Sequence, residues 1–126
     1  EGLTLGPQGG GEAVRAEGPV FRAANAFAEM NPRKRRSMED AHRIVPQLTV
    51  EPPSAFFAVY DGHGGRGIVE YIEHRLEENL REELDREDEA GVPERIARAY
   101  VRTDAESASV KTASGATAIT CLVRVE

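Results

Sequence analysis

The alternation of apolar and polar positions divides the chain into strand-like and helix-like segments. Residues 55–60 form a continuous apolar run between two prolines and a glycine-rich turn, which predicts a central strand buried on both faces. Shorter, partly alternating stretches at residues 24–30 and 41–45 predict two strands joined by a turn. Residues 117–125 are rich in β-branched and apolar side chains and predict a further strand.

Two segments have the spacing of amphipathic helices. After Gly67, apolar residues recur at every fourth position, which predicts one helix with a single apolar stripe. That stripe consists of Ile68, Ile72, Leu76, Leu80 and Leu84. Pro93 suits a first helical position and predicts the start of a second helix. Its expected apolar face consists of Ile96, Ala97, Tyr100 and Val101. The acidic residues 73–89 are expected to form exposed helix surface and loop.

The N-terminal residues differ in character from the rest of the chain. Residues 1–20 are rich in glycine and lack an apolar face, so we expect a flexible lead-in. Residues 21–126 are then expected to belong to one domain, because 126 residues are enough for one ordinary domain. The chain begins with Glu1 instead of Met, and we expect it to be a part of a longer protein.

Composition argues against several classes of protein. No window approaches the ~18 apolar residues that a membrane span needs, so we expect no membrane association. A net charge of −6 argues against wholesale nucleic-acid binding, which needs many lysines and arginines. The single cysteine, Cys121, lies in an apolar run and is expected to be a buried, inert thiol. An intracellular location, cytoplasmic or nuclear, fits these features best.

The Asp-Gly-His-Gly-Gly segment at residues 61–65 directly follows the predicted central strand. Asp61 can supply hard oxygen ligands to Mg²⁺ or Mn²⁺, and Gly62 lets its own carbonyl approach the same ion. His63 titrates near neutral pH and suits a general acid toward a leaving oxygen. The same residues also suit an ordinary turn with a surface histidine, so this segment alone leaves both interpretations open.

A second group of charged residues precedes the predicted strand at 41–45. Arg35 can grip phosphate with two hydrogen bonds, and it is followed by Glu39 and Asp40. We expect these two carboxylates to lie on a strand and to point to opposite faces, so only one can point directly toward a site. A competing interpretation takes the basic residues 33–36 as a nuclear-localisation or polyanion patch, which the adjacent acids weaken.

Three motifs in this order resemble the protein phosphatase 2C family of metal-dependent serine/threonine phosphatases. They are Arg-x-x-Met-Glu-Asp-Ala-His at residues 35–42, Phe-Phe-Ala-Val-Tyr-Asp-Gly-His-Gly-Gly at residues 56–65 and Ser-Gly-Ala-Thr-Ala at residues 114–118. Without that context, the third motif indicates only small-residue packing at the start of a strand. The resemblance covers about residues 24–126.

The resemblance implies an α+β fold, a four-layer αββα sandwich with a binuclear Mn²⁺ or Mg²⁺ centre, of which this chain holds the N-terminal part. Carried over by motif position, Asp61 would bridge both metals and Gly62 would ligate one through its carbonyl. Glu39 and Asp40 would hold water on the metals. These roles are implications of the resemblance and not of the spacing itself.

The implied reaction is hydrolysis of phosphoserine or phosphothreonine in a phosphoprotein substrate by a metal-activated water. Arg35, chosen by its spacing in the motif, would bind phosphate, and His63 would be the general acid. The family's later Gly-Asp-Ser-Arg strand and its two C-terminal metal-binding aspartates do not occur in these 126 residues. We therefore expect this chain alone to be inactive.

Two alternatives stay open. The calcineurin-like metallophosphoesterases carry a Gly-Asp-x-x-Asp-Arg-Gly segment, which does not occur in this sequence. An inactive phosphatase-like binding or regulatory module would keep the fold without turnover. The phosphoprotein substrate and the oligomeric state do not follow from these motifs.

Overall fold

The computed structural model describes residues 3–5, 11–29 and 39–125, and it confirms the predicted α+β class. In chain order the elements are β1 (Leu3–Leu5), β2 (Gly11–Ala16), β3 (Ala24–Glu29), β4 (Ala41–Thr49), β5 (Ser54–His63), α1 (Gly67–Asp85), α2 (Val92–Ser107) and β6 (Gly115–Arg124). The strands form two antiparallel three-stranded sheets, β1-β2-β3 and β4-β5-β6. Both helices lie against one face of the sheet β4-β5-β6.

Strand β5 lies at the centre of its sheet, as the apolar run predicts. Its residues Phe56, Ala58 and Tyr60 are buried and pack with the helices. The prediction that this run is buried on both faces is wrong for its second half, because Val59 is 57% exposed. Side chains alternate along a strand, so Val59, Asp61 and His63 lie on the face away from the helices.

Helix α1 has the apolar stripe that the four-residue spacing predicts. Leu76 and Leu80 are buried in the core, and Ile72 and Leu84 pack against it. Burying each of these side chains contributes roughly 1.5–3 kcal/mol to the free energy of folding. The stripe therefore anchors the helix that begins four residues after His63.

Two acids of the segment predicted to be exposed are instead buried. The Glu77 carboxylate accepts two hydrogen bonds from Arg43 of β4, at 2.6 and 2.7 Å. Glu83 lies beside Arg98 of α2, with 3.5 Å between carboxylate and guanidinium. The expectation of a uniformly exposed acidic surface is wrong at these two positions, because each acid has a basic partner on a neighbouring element.

Helix α2 starts within one residue of Pro93, and half of its predicted apolar face is confirmed, because Ile96 and Tyr100 pack against the core. Its buried residues are Arg95, Ala99 and Thr103, whereas Ala97 and Val101 are exposed. Polar side chains explain the difference. Arg95 donates hydrogen bonds to four backbone carbonyls between the helices, those of Glu83, Arg86, Asp88 and Ala90.

The two helices are joined by a polar network around Glu106. Arg75 of α1 donates two hydrogen bonds of 2.9 Å to this carboxylate, and Asn79 donates one of 2.9 Å. The amide of Asn79 also donates to Thr103, at 2.9 Å. The hydrogen bonds from Arg75 and then Asn79 lower the pKa of Glu106 to about 2.

Regular structure begins earlier than the sequence predicts. Strands β1 and β2 lie within residues 1–20, where a lead-in without structure was expected. Val14 and Ala16 of β2 are buried, and β2 pairs with β3 from Gly11 opposite Glu29 to Ala16 opposite Ala24. Pairing with the next strand thus overrides the local glycine content. Because β3 pairs with β2, the strands β3 and β4 belong to different sheets.

The face of the sheet β4-β5-β6 that points away from the helices carries exposed apolar side chains. Cys121 of β6 is exposed on this face, so the prediction of a buried thiol is wrong. Its neighbour Ile119 is also exposed. Residues of β3 and of this face line a cavity of about 260 Å³, and the rings of Phe21 and Phe57 lie 5.3 Å apart. Neither helix among the described residues has the length and apolar character of a membrane span.

Candidate active site

The end of β5 carries the three residues with the strongest chemical signal. Asp61, Gly62 and His63 are its last three residues, and they pair with Thr117, Ala116 and Gly115 of β6. Asp61 and His63 are exposed, whereas Gly62 between them is buried. The alternation directs both chemically active side chains to the face away from the helices. The end of β5, held by its pairing with β6, therefore presents a carboxylate and an imidazole on one face.

Gly62 lies in space that no other residue could occupy. A Cβ atom at this position would lie 2.1 Å from the backbone oxygen of Glu39 and 2.5 Å from a methyl group of Val69. The backbone of Glu39 and the side chain of Val69 from helix α1 therefore both pack directly against Gly62. Close packing thus requires glycine at this position, in addition to the access of a cation to its carbonyl that the motif predicts.

The turn after β5 depends on two glycines and on one carboxylate. Gly64 and Gly65 have φ angles of 71° and 119°, which side-chain-bearing residues rarely adopt. The amide of Gly65 donates a hydrogen bond of 2.7 Å to the Glu39 carboxylate. Hydrogen bonds between an amide and a charged carboxylate are stronger than neutral ones. Glu39 therefore holds the turn in place.

Helix α1 begins directly after this turn, and its N-terminus is capped by a distant residue. Its N-cap residue, Arg66, makes no side-chain capping bond. Instead, the amide of Ile68 donates to the hydroxyl of Ser114, at 3.0 Å. Thr112 contacts the same hydroxyl, at 2.9 Å, and leaves no room for a side chain at Gly67. The start of β6 thus fixes the end of the turn.

Glu39 and Asp40 precede β4 and are not part of a strand, contrary to the prediction. The first pair of the β4–β5 ladder is Ala41 with Tyr60, so Asp40 and Asp61 follow at the same end of this ladder. One carboxylate oxygen of Asp40, Oδ1, is buried and has no hydrogen-bond partner among the described residues. A buried carboxylate oxygen without a partner is unfavourable, and a bound cation would satisfy it.

These residues fit a divalent cation in part. The carboxylates of Asp61 and Asp40 and the carbonyl of Gly62 are hard oxygen donors of the kind that Mg²⁺ and Mn²⁺ prefer. Within residues 3–5, 11–29 and 39–125, however, no group of three His, Cys, Asp or Glu residues is arranged to hold a metal ion. The described residues therefore supply some of the ligands for a metal and not a full set.

Arg35, the predicted phosphate-binding residue, lies outside the described residues. Its relation to Asp61 and His63 thus stays a prediction from the motif. The basic residues 33–36 lie in the same part of the chain, and their interpretation as a polyanion patch is likewise untested.

The sequence matches a known protein family over most of its length. The sequence model of the family Protein phosphatase 2C matches residues 25–126, which include the whole of the strand, turn and helix described above. The chain belongs to the protein phosphatase 2C family. The resemblance stated from the three motifs is therefore confirmed, and the α+β architecture is consistent with part of that family's domain.

Similar curated proteins carry the family's name. Probable protein phosphatase 2C 14 of Arabidopsis thaliana is 33% identical over 111 residues, which cover 85% of this chain and 24% of that protein. Probable protein phosphatase 2C 74 of Oryza sativa subsp. japonica is 32% identical over 122 residues, covering 88% and 30% respectively. The integrin-linked kinase-associated serine/threonine phosphatase 2C of Bos taurus is 32% identical over 100 residues, covering 73% and 27%. The chain thus spans less than a third of the length of these three relatives.

Sequence reasoning missed the residues that support the turn in this protein phosphatase 2C chain. Ser114 was interpreted as small-residue packing, yet its hydroxyl caps α1. Glu39 was assigned to water on the metals, yet its carboxylate bonds the Gly65 amide. One signal for Ser114 is available in the sequence. Serine is preferred as a cap of helix N-termini, yet Ser114 stands before a predicted strand and not before a helix. No signal in the sequence joins residues 46 positions apart such as Ile68 and Ser114.

Proposed function

We propose that this member of the protein phosphatase 2C family hydrolyses phosphoserine and phosphothreonine in phosphoproteins with the help of two Mn²⁺ or Mg²⁺ ions. One observation carries the proposal. Asp61 and His63 lie on one face of the end of β5, and Asp40, whose buried Oδ1 has no hydrogen-bond partner among the described residues, follows at the same end of the β4–β5 ladder as Asp61. A carboxylate held without a partner next to a second carboxylate is unfavourable unless positive charge is present.

The metal ligands proposed from this chain are the carboxylate of Asp61 and the carbonyl of Gly62. When bound, the ions would supply an activated water nucleophile and neutralise the charge that develops on the phosphoryl group. Asp40 is proposed to orient water in the site through its buried carboxylate. Glu39 was assigned the same role, but its bond to Gly65 supports a role in holding the turn. Further ligands must come from outside the described residues.

Two residues are proposed to act on the substrate. His63 would donate a proton to the departing serine or threonine oxygen, and its exposure on the strand end leaves its ring accessible to a substrate. Arg35 would bind the phosphate oxygens through its planar guanidinium. The phosphate would then lie between the side chains at the end of β5 and the guanidinium of Arg35.

The proposal is tested with the full-length gene product after removal of metal by a chelator. We expect release of phosphate from a phosphothreonine peptide to be absent without metal and to return when Mn²⁺ or Mg²⁺ is added. Equal release with and without metal would contradict the proposal.

An inactive binding module is the second candidate, because the described residues do not arrange three metal ligands together. The same preparation distinguishes it. Binding of the phosphothreonine peptide without any release of phosphate, at every metal concentration, would favour the binding module and overturn the hydrolase.

A further inference from the structure

The imidazole of His63 lies against the backbone of β6. His63 and Gly115 are directly paired across β5 and β6. A Cβ atom at position 115 would lie 2.6 Å from Nε2 of His63 and 3.0 Å from Cε1. Both distances are at or below the limit of ordinary contacts, so the ring fills the space that any other residue would need for its side chain.

The backbone itself does not require glycine at position 115. The positive φ angles among the described residues belong to Gly64 and Gly65, and Gly115 continues the regular ladder of β6. Alanine is therefore compatible with the backbone conformation there. What excludes it is the position of the His63 ring. Because that ring is the far end of an exposed side chain, it would move before the sheet does.

The backbone under the ring is well fixed. The hydroxyl of Ser114 accepts a hydrogen bond from Ile68 at the start of α1, and the amide of Ser114 donates to Thr112, at 3.1 Å. On its other side, Gly115 pairs with the last residue of the central strand. The platform beneath His63 therefore belongs to two rigid elements, and a ring resting on it has a defined direction.

We propose that Gly115 is the positioning residue for His63: the absence of a side chain at position 115 lets the imidazole rest on β6 and sets the direction in which it donates its proton. The inference rests on the proposed function, in which His63 protonates the leaving oxygen. A purely structural role is the competing explanation, since an aromatic ring that covers a glycine on a neighbouring strand also stabilises a sheet.

The two explanations differ in their kinetic consequences. In full-length protein, Gly115→Ala should displace the ring by ~1 Å and slow turnover of a phosphothreonine peptide by about 10- to 100-fold. Turnover of p-nitrophenyl phosphate should fall by less than about threefold, because a phenolate needs little help from an acid. KM should change little for either substrate. A merely structural role would slow both substrates alike.

His63→Gln and the double variant complete the test. His63→Gln should show the same selective loss on the peptide, and adding Gly115→Ala to it should cause no further loss. Gly91→Ala is the matched control, since its φ is −74° and the nearest atom to its new Cβ would lie 3.7 Å away. It should leave both rates within about twofold.

The outcomes separate this inference from the proposed function. If His63→Gln is selective and Gly115→Ala is not, the positioning role is wrong while the hydrolase stands. If the unmodified protein is inactive, or if His63→Gln slows both substrates equally, the general acid is wrong and the positioning role falls with it. A measurement without turnover checks the geometry: nuclear Overhauser contacts between the His63 ring and the Hα protons of Gly115 should appear in the full-length protein. Their absence would also overturn the inference.

Discussion

The ion pair between Arg43 and Glu77 joins the two elements that lead to the candidate site. Arg43 lies on β4, three residues after Asp40, and Glu77 lies on α1, which begins directly after the turn. Two hydrogen bonds of 2.6 and 2.7 Å connect them, and they also raise the pKa of Arg43. The Glu77 side chain is 7% exposed and that of Arg43 is 28% exposed. Replacing Arg43 alone would thus leave a buried carboxylate without its cation.

The size of the effect follows from this burial. Removing one partner of a buried pair costs about 3–5 kcal/mol, and the partial exposure of Arg43 brings the expected cost to or just below the bottom of that range. We expect Arg43→Met to lower the free energy of unfolding by about 2–3 kcal/mol. The double variant Arg43→Met with Glu77→Leu should lie within about 1 kcal/mol of the unmodified chain, because no charge is then left buried.

Urea unfolding of the 126-residue chain, followed by circular dichroism, measures these values. Val101→Ala is a suitable control, because Val101 is 70% exposed. If Arg43→Met lowers the free energy of unfolding by less than about 0.5 kcal/mol, the pair stabilises the fold less than its burial indicates. If the double variant is as unstable as the sum of both single changes, the cost comes from lost packing and not from the unpaired charge.

Three further predictions follow from single groups in the structure. The Tyr60 hydroxyl is buried without a partner among the described residues, so Tyr60→Phe should raise the free energy of unfolding by about 1 kcal/mol, and a loss in the same urea assay would contradict this. The pKa of Glu106 is about 2 in the folded chain and ordinarily 4.5, so its contribution is present above pH 4.5 and is lost as the pH falls toward 2. Glu106→Gln should therefore flatten the acid side of a plot of stability against pH, and an unchanged slope would refute this. Finally, the 126-residue chain alone should release no phosphate from a phosphothreonine peptide in millimolar Mn²⁺, and release matching that of the full-length protein would show that other residues complete the site.

The elements that depend on a single local pattern were predictable from the sequence. The apolar run before Asp61 gave the central strand, and the four-residue spacing after Gly67 gave α1. Both signals are periodic and long, which makes them robust against neighbouring structure. The Asp-Gly-His-Gly-Gly segment was recognisable for the same reason, because it combines a strand end with residues whose chemistry is specific.

Features that depend on a distant partner were not predictable. Glu77 and Glu83 look like solvated acids until Arg43 and Arg98 are brought beside them. Cys121 looks buried in an apolar run, but the strand alternation directs it to the face away from the helices. Strand β2 looks like a glycine-rich lead-in until it pairs with β3. For the two acids and for β2, pairing with another element decides burial, whereas for Cys121 the face of the strand decides it.

The account's central claim is that Asp61 is a metal ligand in a phosphatase site, and one rate tests it most directly. The measurement is Mn²⁺-dependent release of phosphate from a phosphothreonine peptide by the full-length gene product carrying Asp61→Asn. Asp104→Asn, a change at an exposed position of α2, is the matched control. We expect Asp61→Asn to lower the rate at least about 100-fold, because a neutral amide replaces a charged metal ligand worth several kcal/mol in the transition state. The control should keep a rate close to that of the unmodified protein. An Asp61→Asn rate as high as the control's, with the same dependence on Mn²⁺, would contradict the claim.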